Sequence, residues 1–183
     1  MLSRFFALFL LILLSPIFLL VSLAILIEDG FPVFFTQKRV GINYSFFNIY
    51  KFRSMKKNTP NVATHLLENP DQYLLKIGKF FRKTSLDELP NLINIVKGEM
   101  VFVGPRPALY NQDDLMQFRV VTGVSKLKPG ITGWAQINGR DELSIPDKVK
   151  LEQEYLYRKS LLLDLEIIIK TFTNVIFRKD VSH

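Results

Sequence analysis

The chain has 183 residues, enough for one domain with its own core. It contains no cysteine, which excludes disulfides, thiolate metal sites and a cysteine nucleophile. Lys and Arg outnumber Asp and Glu by 24 to 17, and the net charge of +7 suits nucleic acid, anionic lipid or phosphorylated substrates. The two histidines, His65 and His183, are far apart in sequence, so any metal would be a hard, oxygen-bound ion such as magnesium. Sixteen Phe against one Trp fit lipid contact, although a Phe-rich core would look similar.

In chain order, the first element is an uncharged, mostly apolar run of 23 residues from Phe5 to Ile27. As one helix it would be about 35 Å long, enough to cross a hydrocarbon core of about 30 Å. It is too long for a signal-peptide core and lacks a small-x-small cleavage site. Ser15-Pro16 sits near its centre, where proline removes one backbone bond and clashes with the preceding turn. Arg4 lies before the run, and Lys38, Arg39, Lys51 and Arg53 follow it. Basic residues on both flanks fit a hairpin with both ends on the cytoplasmic side, while a kinked spanning helix remains the alternative.

Gly30 and Pro32 end this segment. Val33–Thr36 and Phe46–Phe52, with Gly41-Ile42-Asn43 between them, read as a β-hairpin. Lys51 and Arg53 have the same strand parity and are expected on one face, either as a solvated basic face or as contacts to phosphate. Interleaved basic and aromatic residues also suit single-stranded nucleic acid, but the membrane segment just upstream argues against that partner. Lys56–Glu68 reads as a loop. Asn69-Pro70 then opens a helix whose apolar stripe is Tyr73, Leu74, Ile77, Phe80 and Phe81, with Lys76, Lys79, Arg82 and Lys83 on the other side. Such a basic amphipathic helix can lie in a membrane interface or pack on its own core.

The next stretch, Arg82 to Pro107, is the densest in chemistry. Ser85 and Glu88 have capping-box spacing, which would place Asp87 in a helix's first turn; a rival register puts Pro90 at the first helical position. Either register puts both acids at the positive end of a helix that Gly98 stops. One reading is a well-capped helix; the other is a carboxylate kept ionised as a nucleophile. Gly104-Pro105-Arg106-Pro107 follows, and its two prolines stiffen the backbone around Arg106. A stiff mount suits a bidentate arginine–phosphate contact, and it also suits a plain turn.

Further on, short helices are expected over Asp113–Val121 and from Ser144 to Lys159, with a turn at Lys128-Pro129-Gly130. Arg140 can pair with Asp141 or Glu142, or with a substrate phosphate. Leu161–Phe177 is mostly apolar but carries Asp164, Glu166 and Lys170, which makes it an interfacial or core helix rather than a spanning one. Neither a P-loop nor a G-x-G-x-x-G motif is present, so a nucleotide would be gripped by basic side chains and a magnesium ion.

Taken together, R-K-T-S-L-D-E-L-P-N-L-I-N-I-V-K-G-E-M-V-F-V-G-P-R-P (82–107), Q-K-R-V-G (37–41), K-F-R-S-M (51–55), K-P-G-I-T-G-W-A-Q-I-N-G-R (128–140) and S-L-L-L-D (160–164) resemble the bacterial sugar transferases, the monotopic phosphoglycosyl transferases. The resemblance implies an α+β, membrane-associated single domain. Residues 1–29 would form a re-entrant helix broken at Ser15 and Pro16, and residues 30–183 a catalytic domain on the cytoplasmic face of the bacterial inner membrane. It implies transfer of a sugar-1-phosphate from a nucleotide diphosphate sugar, with uridine the expected nucleotide, to polyprenyl (undecaprenyl) phosphate. This would be the first membrane step of glycoconjugate assembly. It also implies Asp87 as nucleophile beside membrane phospholipid; Glu88 is then expected to bind Mg2+, to handle a proton, or both, with Arg106 first and Lys51, Arg53 and Arg140 next as phosphate ligands. The rival is a non-catalytic anchor or scaffold binding anionic lipid, which accounts for the charge and the apolar segment but not for the long central motif.

Overall fold

In the computed structural model, which describes residues 1–60, 68–139 and 143–177, the apolar run folds as two helices. They are α1 (Leu2–Leu13) and α2 (Ser15–Asp29), bent by 60° at the break. Pro16 falls in the first turn of α2, where its missing N–H has no helical partner to lose, and Ser15 Oγ donates to the Ile12 carbonyl at 2.8 Å. Among the described residues no single helix is long and apolar enough to cross a membrane; this bent pair passes by length and composition.

Both halves pack on the rest of the chain. Ala7 is fully buried among Phe47, Ile49, Leu92, Ile95 and Met100. Val21 and Ile25 join Val33, Phe52, Leu75 and Phe81 in a second cluster. The opposite faces stay open: Phe5, Phe9, Ile12, Leu19, Leu20 and Leu23 are all exposed.

Strands β1 (Phe34–Val40) and β2 (Phe46–Phe52) form the expected hairpin, antiparallel with Phe34 opposite Phe52 and Val40 opposite Phe46. β1 runs four residues beyond the expected Thr36, because alternation continues through Lys38 and Arg39 to the buried Val40. The register places Phe35 opposite Lys51, so Lys51 shares a face with Gln37 and Arg39.

The helix expected from Asn69 through Phe81 is broken. It forms as α3 (Pro70–Tyr73) and α4 (Lys76–Lys83), with extended backbone at Leu74 and Leu75 between them. Tertiary pairing overrides helix propensity here: Leu75 N donates to Ser54 O at 3.0 Å, Lys56 N to Tyr73 O at 2.7 Å, and the Leu75 side chain is buried against α2. The Glu28 carboxylate then caps α4 by accepting from the N–H groups of Lys76 and Ile77 at 2.5 and 3.1 Å. Gly78 fits because a Cβ there would lie 2.0 Å from the Ser54 carbonyl oxygen.

Of the loop expected over 56–68, positions 61–67 lie outside the described residues. Beyond the acidic pair come α5 (Asn91–Lys97), ended as expected by Gly98 at φ 83°, and β3 (Val101–Val103). α6 (Asp113–Val121), β4 (Gly130–Thr132) parallel to β3, α7 (Trp134–Ile137), α8 (Ile145–Arg158) and α9 (Leu161–Phe177) follow among the described residues. Ser144 caps α8 as read from the sequence, accepting from Asp147 N at 3.3 Å. The class is α+β, dominated by helix, with two small two-stranded sheets among the described residues.

Candidate active site

The acidic pair sits not on the first turn of α5 but in a short 3-10 turn just ahead of it. Ser85 adopts a left-handed conformation (φ 56°), its side chain makes no cap, and Leu86–Glu88 form a single 3-10 turn ahead of Pro90 and α5. The capping-box register is therefore absent. Pro90 comes closest to the rival register, one residue ahead of the helix.

Asp87 is 8% exposed. Its carboxyl is raised to about 6, first by burial and then by the charge of Glu88, while Lys51, Arg82 and Arg106 pull the other way. Burial thus outweighs the ionising influence that a helix N-terminus was expected to provide. Glu88 accepts from Lys51 Nζ at 2.6 Å, and both terminal nitrogens of Arg106 lie 3.4 Å from the same oxygen. Arg82, at the end of α4, donates through Nε to Ser54 Oγ at 3.0 Å, and burial lowers its own pKa while Asp87 and Glu88 raise it.

The Gly-Pro-Arg-Pro corner is held by more than its prolines. Gly104 N donates to Thr132 O at 2.8 Å, and Gly130 N donates to Pro105 O at 2.9 Å. Arg119 donates to the Arg106 carbonyl and Arg39 to the Pro107 carbonyl, each at 3.0 Å. Arg119, on α6, is itself paired with Glu152 of α8 in a buried ion pair at 2.5 Å. The corner is a braced mount rather than a loose turn.

A shallow crevice with room for about one water lies beside Glu88, lined by Arg39, Lys51, Asn91, Arg106 and Pro107 among others. Asp87, Glu88, Lys51 and Arg106 are thus brought together. Arg53 is not: its guanidinium bonds the Asp29 carboxylate and the carbonyls of Gly30 and Pro32, the last two at 2.6 Å. It lies just beyond the end of β2 and ties the end of α2 to that strand, so the face expected to be shared with Lys51 is not formed. Arg140 lies outside the described residues. Ser15 and Pro16 mark the bend between α1 and α2. Arg39, Arg82, Asn91 and Arg119 were not singled out as site residues from the sequence. Strand parity would have paired Arg39 with Lys51 had β1 been read through to Val40.

Among the described residues, no group of three or more Asp, Glu or His side chains that could hold a metal ion occurs. Two adjacent carboxylates remain. Magnesium commonly takes one or two carboxylates and completes its shell with water and substrate phosphates. The donor set therefore fits an ion that arrives with a phosphate, not a site made by protein alone.

A family model described as bacterial sugar transferase matches residues 1–178. The chain belongs to this family. It is similar to an undecaprenyl-phosphate glucose phosphotransferase of Komagataeibacter xylinus, 40% identical over 93% of this chain and 34% of its own length. The UDP-glucose:undecaprenyl-phosphate glucose-1-phosphate transferase of Escherichia coli (strain K12) is 40% identical over 88% of the chain and 36% of its own length. The uncharacterized sugar transferase EpsL of Bacillus subtilis (strain 168) is 39% identical over 96% of the chain and 86% of its own length. The chain thus spans about a third of the first two relatives and most of EpsL. The long central motif, the braced corner and the acidic pair all fall within the matched region of the family.

Proposed function

We propose that the chain is a phosphoglycosyl transferase that moves a sugar-1-phosphate from a uridine diphosphate sugar to undecaprenyl phosphate. The observation that carries this reading is a buried carboxyl, Asp87, set beside Glu88 and acted on by Lys51, Arg82 and Arg106. Phosphoryl transfer depends on positioning and charge neutralisation, and this arrangement supplies both. The name of the Escherichia relative gives UDP-glucose as donor and undecaprenyl phosphate as acceptor, and that of the Komagataeibacter relative gives glucose and undecaprenyl phosphate.

In the first step an ionised Asp87 oxygen bonds to the sugar-bearing phosphorus. The bridging P–O bond breaks, and its electron pair leaves with the nucleoside monophosphate. In the second step an oxygen of the polyprenyl phosphate attacks the same phosphorus, and Asp87 departs as carboxylate. Lys51 and Arg106 hold Glu88 and the phosphate oxygens in place. Magnesium, bound by Glu88 together with the diphosphate, would supply further charge neutralisation. The exposed apolar faces of α1 and α2 would enter the cytoplasmic leaflet of the inner membrane as a re-entrant pair, bringing the site to headgroup depth against phospholipid.

Donor alone, without lipid, tests the two steps. Wild type should release at most about one monophosphate per enzyme. Intact mass should gain one phosphosugar, and peptide mapping should place it on Asp87. Release that requires the lipid, with no adduct even in Glu88→Gln, would refute the covalent route and favour direct transfer. A scaffold would bind vesicles and leave the nucleotide sugar intact.

A further inference from the structure

Arg119 and Glu152, 4% and 2% exposed, are the most deeply buried charged side chains among the described residues. They come from α6 and α8 and meet twice. Arg119 Nε donates to Glu152 Oε2 at 2.8 Å, and Arg119 Nη2 donates to Oε1 at 2.5 Å. Burying two ions costs much solvation, and such a pair is often no better for stability than two apolar side chains of similar volume. Joining α6 to α8 does not by itself account for it. Leu115 and Met116 of α6 already share a buried cluster with Val149 of α8.

Apolar side chains could not, however, donate a hydrogen bond. The same Nη2 that meets Glu152 also donates to the Arg106 carbonyl at 3.0 Å. The two-point contact with Glu152 fixes the plane of the Arg119 guanidinium, and the second N–H of Nη2 is left for that carbonyl. The carbonyls on either side are held too: Pro105 O accepts from Gly130 N at 2.9 Å, and Pro107 O from Arg39 at 3.0 Å. Neither proline has an N–H to offer, so this corner is gripped through three successive carbonyls. The middle one belongs to the residue whose side chain faces Glu88 at 3.4 Å. A shift of the backbone at Arg106 carries its guanidinium with it, and a misplacement of about 1 Å can slow a reaction about a hundredfold.

We propose that Arg119 and Glu152 are positioning residues for the transfer reaction: Glu152 orients Arg119, and Arg119 holds the Arg106 backbone so that the Arg106 side chain meets the phosphate in register. The proposal rests on the phosphoglycosyl transferase reading. Neither residue lines the crevice beside Glu88, so both act through Arg106 and from behind it. α8 thereby takes part in the site although none of its residues lines that crevice.

Arg119→Met combined with Glu152→Leu removes both charges together and leaves no ion unpaired. This double variant should unfold within a few degrees of wild type and still lose about tenfold or more in kcat. In an Arg106→Lys background the same two substitutions should cost at most about twofold more, because their effect passes through Arg106. A purely structural tie predicts otherwise: kcat that follows stability, or equal losses in both backgrounds, overturns the proposal. Should the double variant fold poorly, Arg119→Lys keeps Glu152 neutralised but lacks the planar fork that serves both partners at once. It should show the same loss and the same dependence on Arg106. Placement can also be read without turnover. Arg106 should react faster with an arginine-specific dicarbonyl in Arg119→Lys than in wild type, mapped by mass spectrometry on enzyme without substrate; an unchanged rate overturns the proposal. Wild type that consumes no nucleotide sugar would instead bring down the phosphoglycosyl transferase reading, whereas active wild type with equally active variants brings down this inference alone.

Discussion

Replacing Asp87 by Asn should remove the proposed nucleophile and yet make the folded protein more stable at neutral pH. The Asp87 carboxyl has an ordinary value of 3.8 and is raised to about 6 in the fold, so the folded state holds this proton more tightly than the unfolded chain. Its contribution to stability is therefore fully present below pH 3.8 and is lost as pH rises through about 6. The difference corresponds to about 3 kcal/mol of stability forgone above that pH. Asn is nearly isosteric and does not ionise, so the variant avoids the loss. For a chain of this length, 3 kcal/mol raises the unfolding midpoint by roughly 6–12 °C. The assay is thermal or denaturant unfolding of both proteins in the same detergent, without magnesium or substrate, at several pH values from 4 to 8. The gap should be small at pH 4, open through pH 6 and level off above it. An Asp87→Asn protein no more stable than wild type at pH 8, or a gap independent of pH, would refute the claim that burial governs this carboxyl.

Glu88→Gln removes the like charge that helps raise Asp87, so the acid limb of kcat/KM should move to lower pH, read from a pH–rate profile. Arg106→Lys should lower kcat/KM on the order of tenfold to a hundredfold with little change in the unfolding midpoint; equal activity would reduce the corner to a turn. Arg53→Met should do the reverse, lowering the unfolding midpoint by several degrees while the donor KM holds, because Arg53 ties the end of α2 to β2 rather than lining the crevice. Single cysteines at Ser3 and Ser182 should both resist an impermeant reagent applied from the periplasm; labelling of one would show a spanning segment, and Pro16→Ala should favour that outcome.

What could be read from the sequence was local chemistry. Ser144 announces α8, Gly98 announces the end of α5, and the β-branched and aromatic runs on either side of Gly41-Ile42-Asn43 announce the hairpin; each depends on residues within a few positions of one another. What could not be read depends on distant partners. The break at Leu74–Leu75 exists because Ser54 and Lys56 pair with that backbone. Ser85 takes a left-handed conformation although nothing in its own side chain demands it. Lys51 and Arg53 share parity, yet the strand ends between them, and Arg53 finds its carboxylate 24 positions upstream. The acidic pair itself stood out through its motif, but its electrostatics did not. A helix start implies an ionised carboxylate, whereas the folded surroundings bury it.

The apolar helices and the acidic pair are one mechanical unit. Ile49 and Met100 line the crevice and also belong to the cluster that closes over Ala7 of α1. On the other side, Leu86 and Leu89 flank the two acids and pack against the cluster that contains Val21 and Ile25 of α2. The bend at Leu14 lets both halves of one short apolar run reach these two clusters, which a straight helix would not. Each half is buried on its inner face and open on its outer one, so the exposed apolar surface is the reverse side of the packing that supports the site. A force on α1 or α2 is thereby transmitted through Ala7 and Ile25 to the residues around Asp87 and Glu88. If the proposed acceptor lies in a bilayer and the outer faces of α1 and α2 enter it, the depth of the proposed nucleophile is set by the same two helices.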